Sequence, residues 1–134
     1  MYRPANRIYP RLAYADEAAA ADWLAKAFGF AEKHRKVNDD GSALIWLELD
    51  GSALMVCRSG LGLSAPGELR GVTEKTICYV DDVTAHHATA LAAGAEVDRE
   101  LQDTPWGDRR YEAIDPEGHR WHFAELVGGG VTEG

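Results

Sequence analysis

His122, Glu48, Arg120 and Cys57 are the side chains of this 134-residue chain best suited to proton transfer, to partnering it, or to ligation, although His122 and Cys57 alone make an incomplete metal site. Each stands in a run that alternates between two kinds of residue, the mark of a strand, so the chemistry is expected on a sheet face rather than in a loop. His122 has the ordinary imidazole range that suits a general base, with Glu48 or Arg120 as partner. Alternation puts Ile45, Leu47, Leu49, Leu54, Val56, Trp121 and Phe123 on one face, greasy enough to meet helices. The opposite face carries Leu44, Trp46, Glu48, Ala53, Met55, Cys57, Arg120, His122 and Ala124. Its mixture of aromatic, soft apolar and titratable groups fits a concave surface that holds a small molecule. If that face met only water, Trp46, Met55 and Cys57 would form an idle apolar patch.

The remaining histidines and the second cysteine offer less. His119 and His122 spell H-x-x-H, but on a strand that spacing sends the rings to opposite faces, so the pair cannot chelate. His86 and His87 are adjacent on a helix and diverge by about 100°, which reads as a solvated pair. Cys57 and Cys78 lack C-x-x-C spacing and read as reduced, buried thiols.

What positions these groups is a duplicated element. Tyr14, Asp16, Ala20, Ala25, Ala27 and Gly29 recur 65 positions later as Tyr79, Asp81, Ala85, Ala90, Ala92 and Gly94. In each copy a strand-like stretch (8–14; 76–80) meets an acidic residue, an Ala-rich helix (17–28; 83–93) and a glycine. The first helix sets Ala20, Trp23, Leu24, Ala27 and Phe28 on one side; the second offers Val83, Ala90, Leu91 and Ala92. Three strands follow each helix, at 33–37, 44–49 and 53–57 and at 98–101, 110–114 and 119–125. Asp50-Gly51 and Asp115-Pro116-Glu117-Gly118 supply the hairpin turns. The expected fold is α+β: two βαβββ units forming an open mixed β-barrel with helices outside. All 134 residues make one domain, with unit one at about 6–58, a Gly- and Pro-rich linker at 59–74, unit two at about 75–127 and a loose tail at 128–134.

Fourteen Lys and Arg against 22 Asp and Glu leave a net charge of -8, which repels phosphate backbones and anionic lipid, so neither nucleic acid nor membrane is expected as a partner. With no long apolar run and no leader-like start, the chain reads as cytoplasmic.

The run Tyr79-Val80-Asp81-Asp82-Val83, the stretch Pro105 to Tyr111 and the segment Asp115 to Trp121 resemble the second unit of the vicinal oxygen chelate superfamily. These are the glyoxalase, bleomycin-resistance-like and dioxygenase proteins; Ala27-Phe28-Gly29-Phe30 fits their first unit, and the likeness spans about 8–126. The resemblance implies a barrel around a ligand or metal site, and homodimers, some made by exchanging units. Metal-dependent members carry ligands on the first and last strands of each unit, places that fall near Tyr9, Met55, Lys75 and His122 here. Of these only His122 ligates a divalent ion well at neutral pH, so no metal and no other cofactor is expected.

Two functions follow. The first is metal-free binding of a small molecule by Tyr9, Trp46, Met55, Cys57, Tyr79, Trp106 and Arg120, as bleomycin-resistance-like proteins bind by sequestration. The second is a lyase or isomerase using His122 as acid or base with Glu48. A metal-dependent member with unusual ligands is a variant of that second reading.

Overall fold

The computed structural model describes residues 2–127. The expected tail at 128–134 lies outside them.

The two long helices each begin where an aspartate can take one of the free amides of the first turn. Asp16 accepts from the Ala19 N–H at 3.1 Å and opens α1 (Glu17–Phe28). Asp82 accepts from the Ala85 N–H at 3.0 Å and opens the second long helix, α3 (Val83–Ala92). These caps are 66 positions apart, one more than the sequence repeat. That extra residue moves the second tyrosine to the other face: Tyr14 is buried, whereas Tyr79 is 56% exposed.

The α+β architecture with two βαβββ units is present. In the first unit β1 (Arg11–Tyr14), β2 (Ala31–Val37), β3 (Ala43–Leu49) and β4 (Ser52–Arg58) form a mixed sheet in the order β1-β4-β3-β2. In the second, β5 (Lys75–Tyr79), β6 (Glu96–Asp103), β7 (Asp108–Ile114) and β8 (Arg120–Leu126) repeat it as β5-β8-β7-β6. Asp50 and Gly51, both left-handed, make the two-residue turn between β3 and β4. The first strand begins at Arg11 rather than Ile8, because Pro10 has no amide to donate and Ile8 is 92% exposed. Between the units, where a plain linker was expected, a bridge joins Gly60 to Leu63 and a short helix α2 (Pro66–Leu69) forms with Pro at its start.

The sheets are not closed on one another. The helices lie on one side of each sheet, and those helix-bearing sides meet back to back in one continuous core. Leu24, Ala27 and Phe28 of α1 pack between Ile45, Leu47 and Val56 of the first sheet and Trp121 and Phe123 of the second. The faces sorted as greasy join this core, apart from a partly exposed Leu49; on the opposite faces Ala53, Met55, Cys57, His122 and Ala124 are buried as well, outside the cluster.

The junction is polar as well. Asp115 accepts from the Tyr14 hydroxyl at 2.5 Å, and Glu117 accepts from the Ala15 and Asp16 amides at 2.6 and 2.9 Å. His119 donates from Nε2 to the Ala13 carbonyl at 2.7 Å.

His86 corrects the reading of a solvated pair. Its Nε2 donates to the Phe28 carbonyl at 2.7 Å, one of the last carbonyls of α1, which has no partner within its own helix. That fixes the tautomer, so Nδ1 accepts from the Tyr111 hydroxyl at 2.6 Å. Val83, His86 and Ala90 form the inward stripe of α3, whereas Leu91 and Ala92 face out. His87 diverges as expected and meets Glu100 at 3.2 Å.

Candidate functional site

Because the helix-bearing sides are consumed by the core, each unit turns its other face outward. In the first sheet, parallel pairing of Arg11 with Met55 and antiparallel pairing of Trp46 with Met55 and of Glu48 with Ala53 put all five on the outward face. Cys57 lies there too, buried, and accepts from Arg11 Nε at 3.2 Å. Tyr9, just before β1, reaches Trp46: its hydroxyl oxygen lies 3.5 Å from the indole Nε1. Five of the expected site residues, Tyr9, Trp46, Glu48, Met55 and Cys57, thus share one surface. Beside it a cavity of about 300 Å³ is lined by Arg11, Asn38, Leu44, Cys57 and Arg58, among others.

The outward face of the second sheet holds Tyr79, Arg120 and His122. Lys75 pairs with Arg120, Ile77 with His122 and Tyr79 with Ala124, so β5 adds Lys75 and Ile77 to that face. Across the sheet Glu112 pairs with His122 and Arg110 with Ala124. Trp106, in the β6 to β7 turn, stacks beneath the Arg110 guanidinium at 4.9 Å. Ile77, Tyr79 and Trp106 are all half exposed or more.

The charges on this face are arranged around a buried carboxylate. Glu112 takes Lys75 Nζ in a short ion pair and lies 3.5 Å from Arg99 Nε. Arg120 is tied down by Asp98 at 2.6 Å. His122 is 8% exposed and has no hydrogen bond to another described residue. Burial pulls its pKa below the ordinary imidazole value; Glu112 opposes this, whereas Arg110 and Lys75 reinforce it. The face therefore holds a neutral imidazole with free nitrogens beside a carboxylate, able to accept or donate one hydrogen bond to a ligand.

The two groups of expected residues do not meet within the chain. Among the described residues, the hydrogen bonds joining the units all come from the core side. The cavity of about 300 Å³ draws on the first unit and the start of the linker, Ser59 to Leu61, and one of about 280 Å³ at Tyr79, Asp81 and Glu125 on the second unit alone. Strands β1 and β5 are both sheet edges, open on their far sides.

Residues 8–123 match the profile of the Glyoxalase/Bleomycin resistance protein/Dioxygenase superfamily. The chain belongs to this superfamily. An uncharacterized protein of Mycobacterium bovis is 34% identical over 124 residues, covering 88% of this chain and 82% of its own length. Among solved structures, TioX from Micromonospora sp. ML1 is similar with a TM-score of 0.74 and 34% identity, over 91% of this chain and all of that one (100%). TnmS3, an antibiotic binding protein from Streptomyces sp. CB03234, shares the fold at a TM-score of 0.72 and 18% identity, over 94% of this chain and 100% of its own.

Superfamily membership raises the question of a metal centre. Of the four places where such ligands stand, Tyr9 and Met55 lie on the first unit's outward face, and Lys75 and His122 on the second's. Lys75 is committed to Glu112, and a thioether is a poor donor for a hard or borderline ion. Among the described residues no three His, Cys, Asp or Glu side chains gather as a metal site would require. The donor set does not fit a divalent ion.

Arg11, Glu112 and Ile77 are the site residues that sequence reasoning passed over. Alternation along Arg11-Leu12-Ala13-Tyr14 would have placed Arg11 opposite Leu12 and Tyr14. Counting back through the Asp115 to Gly118 turn would have set Glu112 across from His122.

Proposed function

We propose that this protein is a cytoplasmic, metal-free binder of a small, aromatic-bearing molecule, and that two copies of the chain build each site together. The outward face of the first unit in one copy would meet the outward face of the second unit in the other. The observation that carries this reading is the pairing of an exposed apolar set, Ile77, Tyr79 and Trp106, with two open sheet edges, β1 and β5. Exposed apolar patches and bare edges of this kind call for a cover. An isologous dimer supplies one by placing β1 of each copy beside β5 of the other. Trp46 and Met55 would then face His122 and Tyr79 across a shared cleft, giving stacking surface and one polar handle. The antibiotic-binding description of TnmS3 accords with such a cleft.

The test uses sedimentation together with thermal shift and calorimetric titration against a panel of aromatic compounds. A dimer stabilised by members of the panel is expected. Trp46→Leu and Tyr79→Ser, on different units, should each abolish binding. Mixing the two dissociated variants should restore about a quarter of the sites, since each mixed dimer has one cleft with both faces intact. A monomer, or no recovery on mixing, refutes the shared cleft.

A second reading rests on the unpartnered His122: a lyase or isomerase in which the neutral imidazole takes a proton from the bound molecule. Glu48 belongs to the first unit's face and Arg120 is paired with Asp98, so within one chain Glu112 is the group beside His122. His122→Ala should then abolish turnover while leaving ligand affinity within a few-fold; turnover that survives the change removes this reading.

A further inference from the structure

Residues 2–10 lie across one end of the first unit's outward face. Asn6 pins them by replacing a strand partner: its side chain donates to the Ala53 carbonyl and accepts from the Ala53 amide, both at 3.0 Å. The Pro10 carbonyl accepts from the Met55 amide at 2.9 Å. Two tyrosines are thereby brought to Trp46. The Tyr2 ring meets the indole at 6.5 Å between centroids and 66° between planes, and Tyr9 touches it through its hydroxyl. From the neighbouring strand His34 stands 5.4 Å from the same indole, tilted by 54°. The Tyr2 hydroxyl donates to Glu48, and burial together with this carboxylate pushes its pKa up to about 12, so it stays a neutral donor.

Glu48 has no basic partner among the described residues. Two cations of the strands sit at the far end of this face, Arg11 drawn to Cys57 and Lys36 paired with Leu44, while Arg3 and Arg7 of the 2–10 segment are exposed and form no ion pair with Glu48. Three aromatic side chains gather on the Trp46 indole, and one of them, Tyr2, also holds the Glu48 carboxylate, so ring faces and a negative charge without a basic partner stand within one corner. That is the chemistry that recognises an alkylated ammonium group, for which indole is the best ring. We infer that the corner formed by Tyr2, Tyr9, His34, Trp46 and Glu48 receives the ammonium group of an organic cation, with the rest of the ligand lying along Met55 toward Cys57. This rests on the small-molecule reading above and gives it a ligand class. The ammonium takes over Glu48 from the Tyr2 hydroxyl, and the net charge of -8 draws cations toward the protein from a distance.

The test titrates the full chain with 3-hydroxyphenyltrimethylammonium and with 3-tert-butylphenol, its uncharged counterpart of the same shape. The cation should bind about tenfold more tightly. Glu48→Gln should remove about tenfold of cation affinity and leave the phenol within twofold. Tyr2→Phe, which keeps the ring and releases the carboxylate, should bind the cation at least as well as the parent. Far-UV circular dichroism checks that each variant is folded. Equal affinity for both probes, or a Glu48→Gln change that weakens both alike, overturns the ammonium assignment and leaves the small-molecule reading standing. Failure of both probes also overturns the assignment; the broader reading falls only if the aromatic panel fails too.

Discussion

Replacing Asp115 with Asn should cost more stability than any substitution on the outward faces. One carboxylate oxygen accepts from the Tyr14 hydroxyl and from Trp121 Nε1 at 2.5 and 3.0 Å; the other accepts from the Glu117 and His119 amides at 3.1 and 3.0 Å. Asp115, Tyr14 and Trp121 are all buried. An amide has one accepting oxygen, so whichever way Asn turns, its NH2 points at two donors. A buried donor left without an acceptor costs about 1–3 kcal/mol. Two of them give about 2–6 kcal/mol, against a total of roughly 5–15 kcal/mol for a domain of ordinary stability. The measurement is urea unfolding followed by far-UV circular dichroism and tryptophan fluorescence, with the slope checked for two-state behaviour. Glu117→Gln serves as the comparison, since its two amide partners are exposed and water can replace one of them. A loss below about 1 kcal/mol for Asp115→Asn would refute the argument that this carboxylate is the polar anchor between the units.

Three further outcomes are expected. Burial holds the His86 pKa below the ordinary value, with the Phe28 carbonyl and Asp50 opposing it, so the unfolded chain takes up this proton first as pH falls. Stability contributed by the neutral ring is thus complete above about pH 6.5 and lost below it, and His86→Gln should flatten that part of a Tm against pH curve; an unchanged slope would refute this linkage. Gly118 adopts φ +98° and an added Cβ would come within 3.2 Å of Pro66 Cβ, so Gly118→Ala should cost about 1–2 kcal/mol by denaturant unfolding. Glu17, 2% exposed, accepts from the Ala43 amide at 2.7 Å and from Arg58 Nε at 3.1 Å, and Glu17→Ala should lower stability by about 1–3 kcal/mol, read from the same assay.

The elements were legible because their signals are local. Asp caps, the left-handed Gly29 and the Asp50-Gly51 turn fix chain direction over a few residues, and alternation sorts Ile45 from Trp46 without reference to anything distant. What alternation cannot tell is which sheet a face will meet. Trp46 and His122 both fall on the face away from the helices, yet nothing in either strand says that the helix-bearing sides join and leave these two on separate surfaces. His86 was misjudged for the same reason. Its partners, the Phe28 carbonyl and the Tyr111 hydroxyl, lie 58 and 25 positions away and come together only when α3 packs on α1. The Tyr79 misalignment with Tyr14 arose differently, from a one-residue insertion that preserves the spelling of the repeat while reversing the side chain's direction.

The core lies between the units, and this separates two kinds of selective pressure. Phe28, Trp121 and Phe123 interlock, so a change in one must be answered by the others. Leu44, Trp46, Ile77 and Tyr79 stand on the outward faces, half-buried or exposed, and most can change size or charge without disturbing that interlock. Substitutions there leave the fold unaltered, so gene duplicates of such a chain can diverge on these faces without repacking the core.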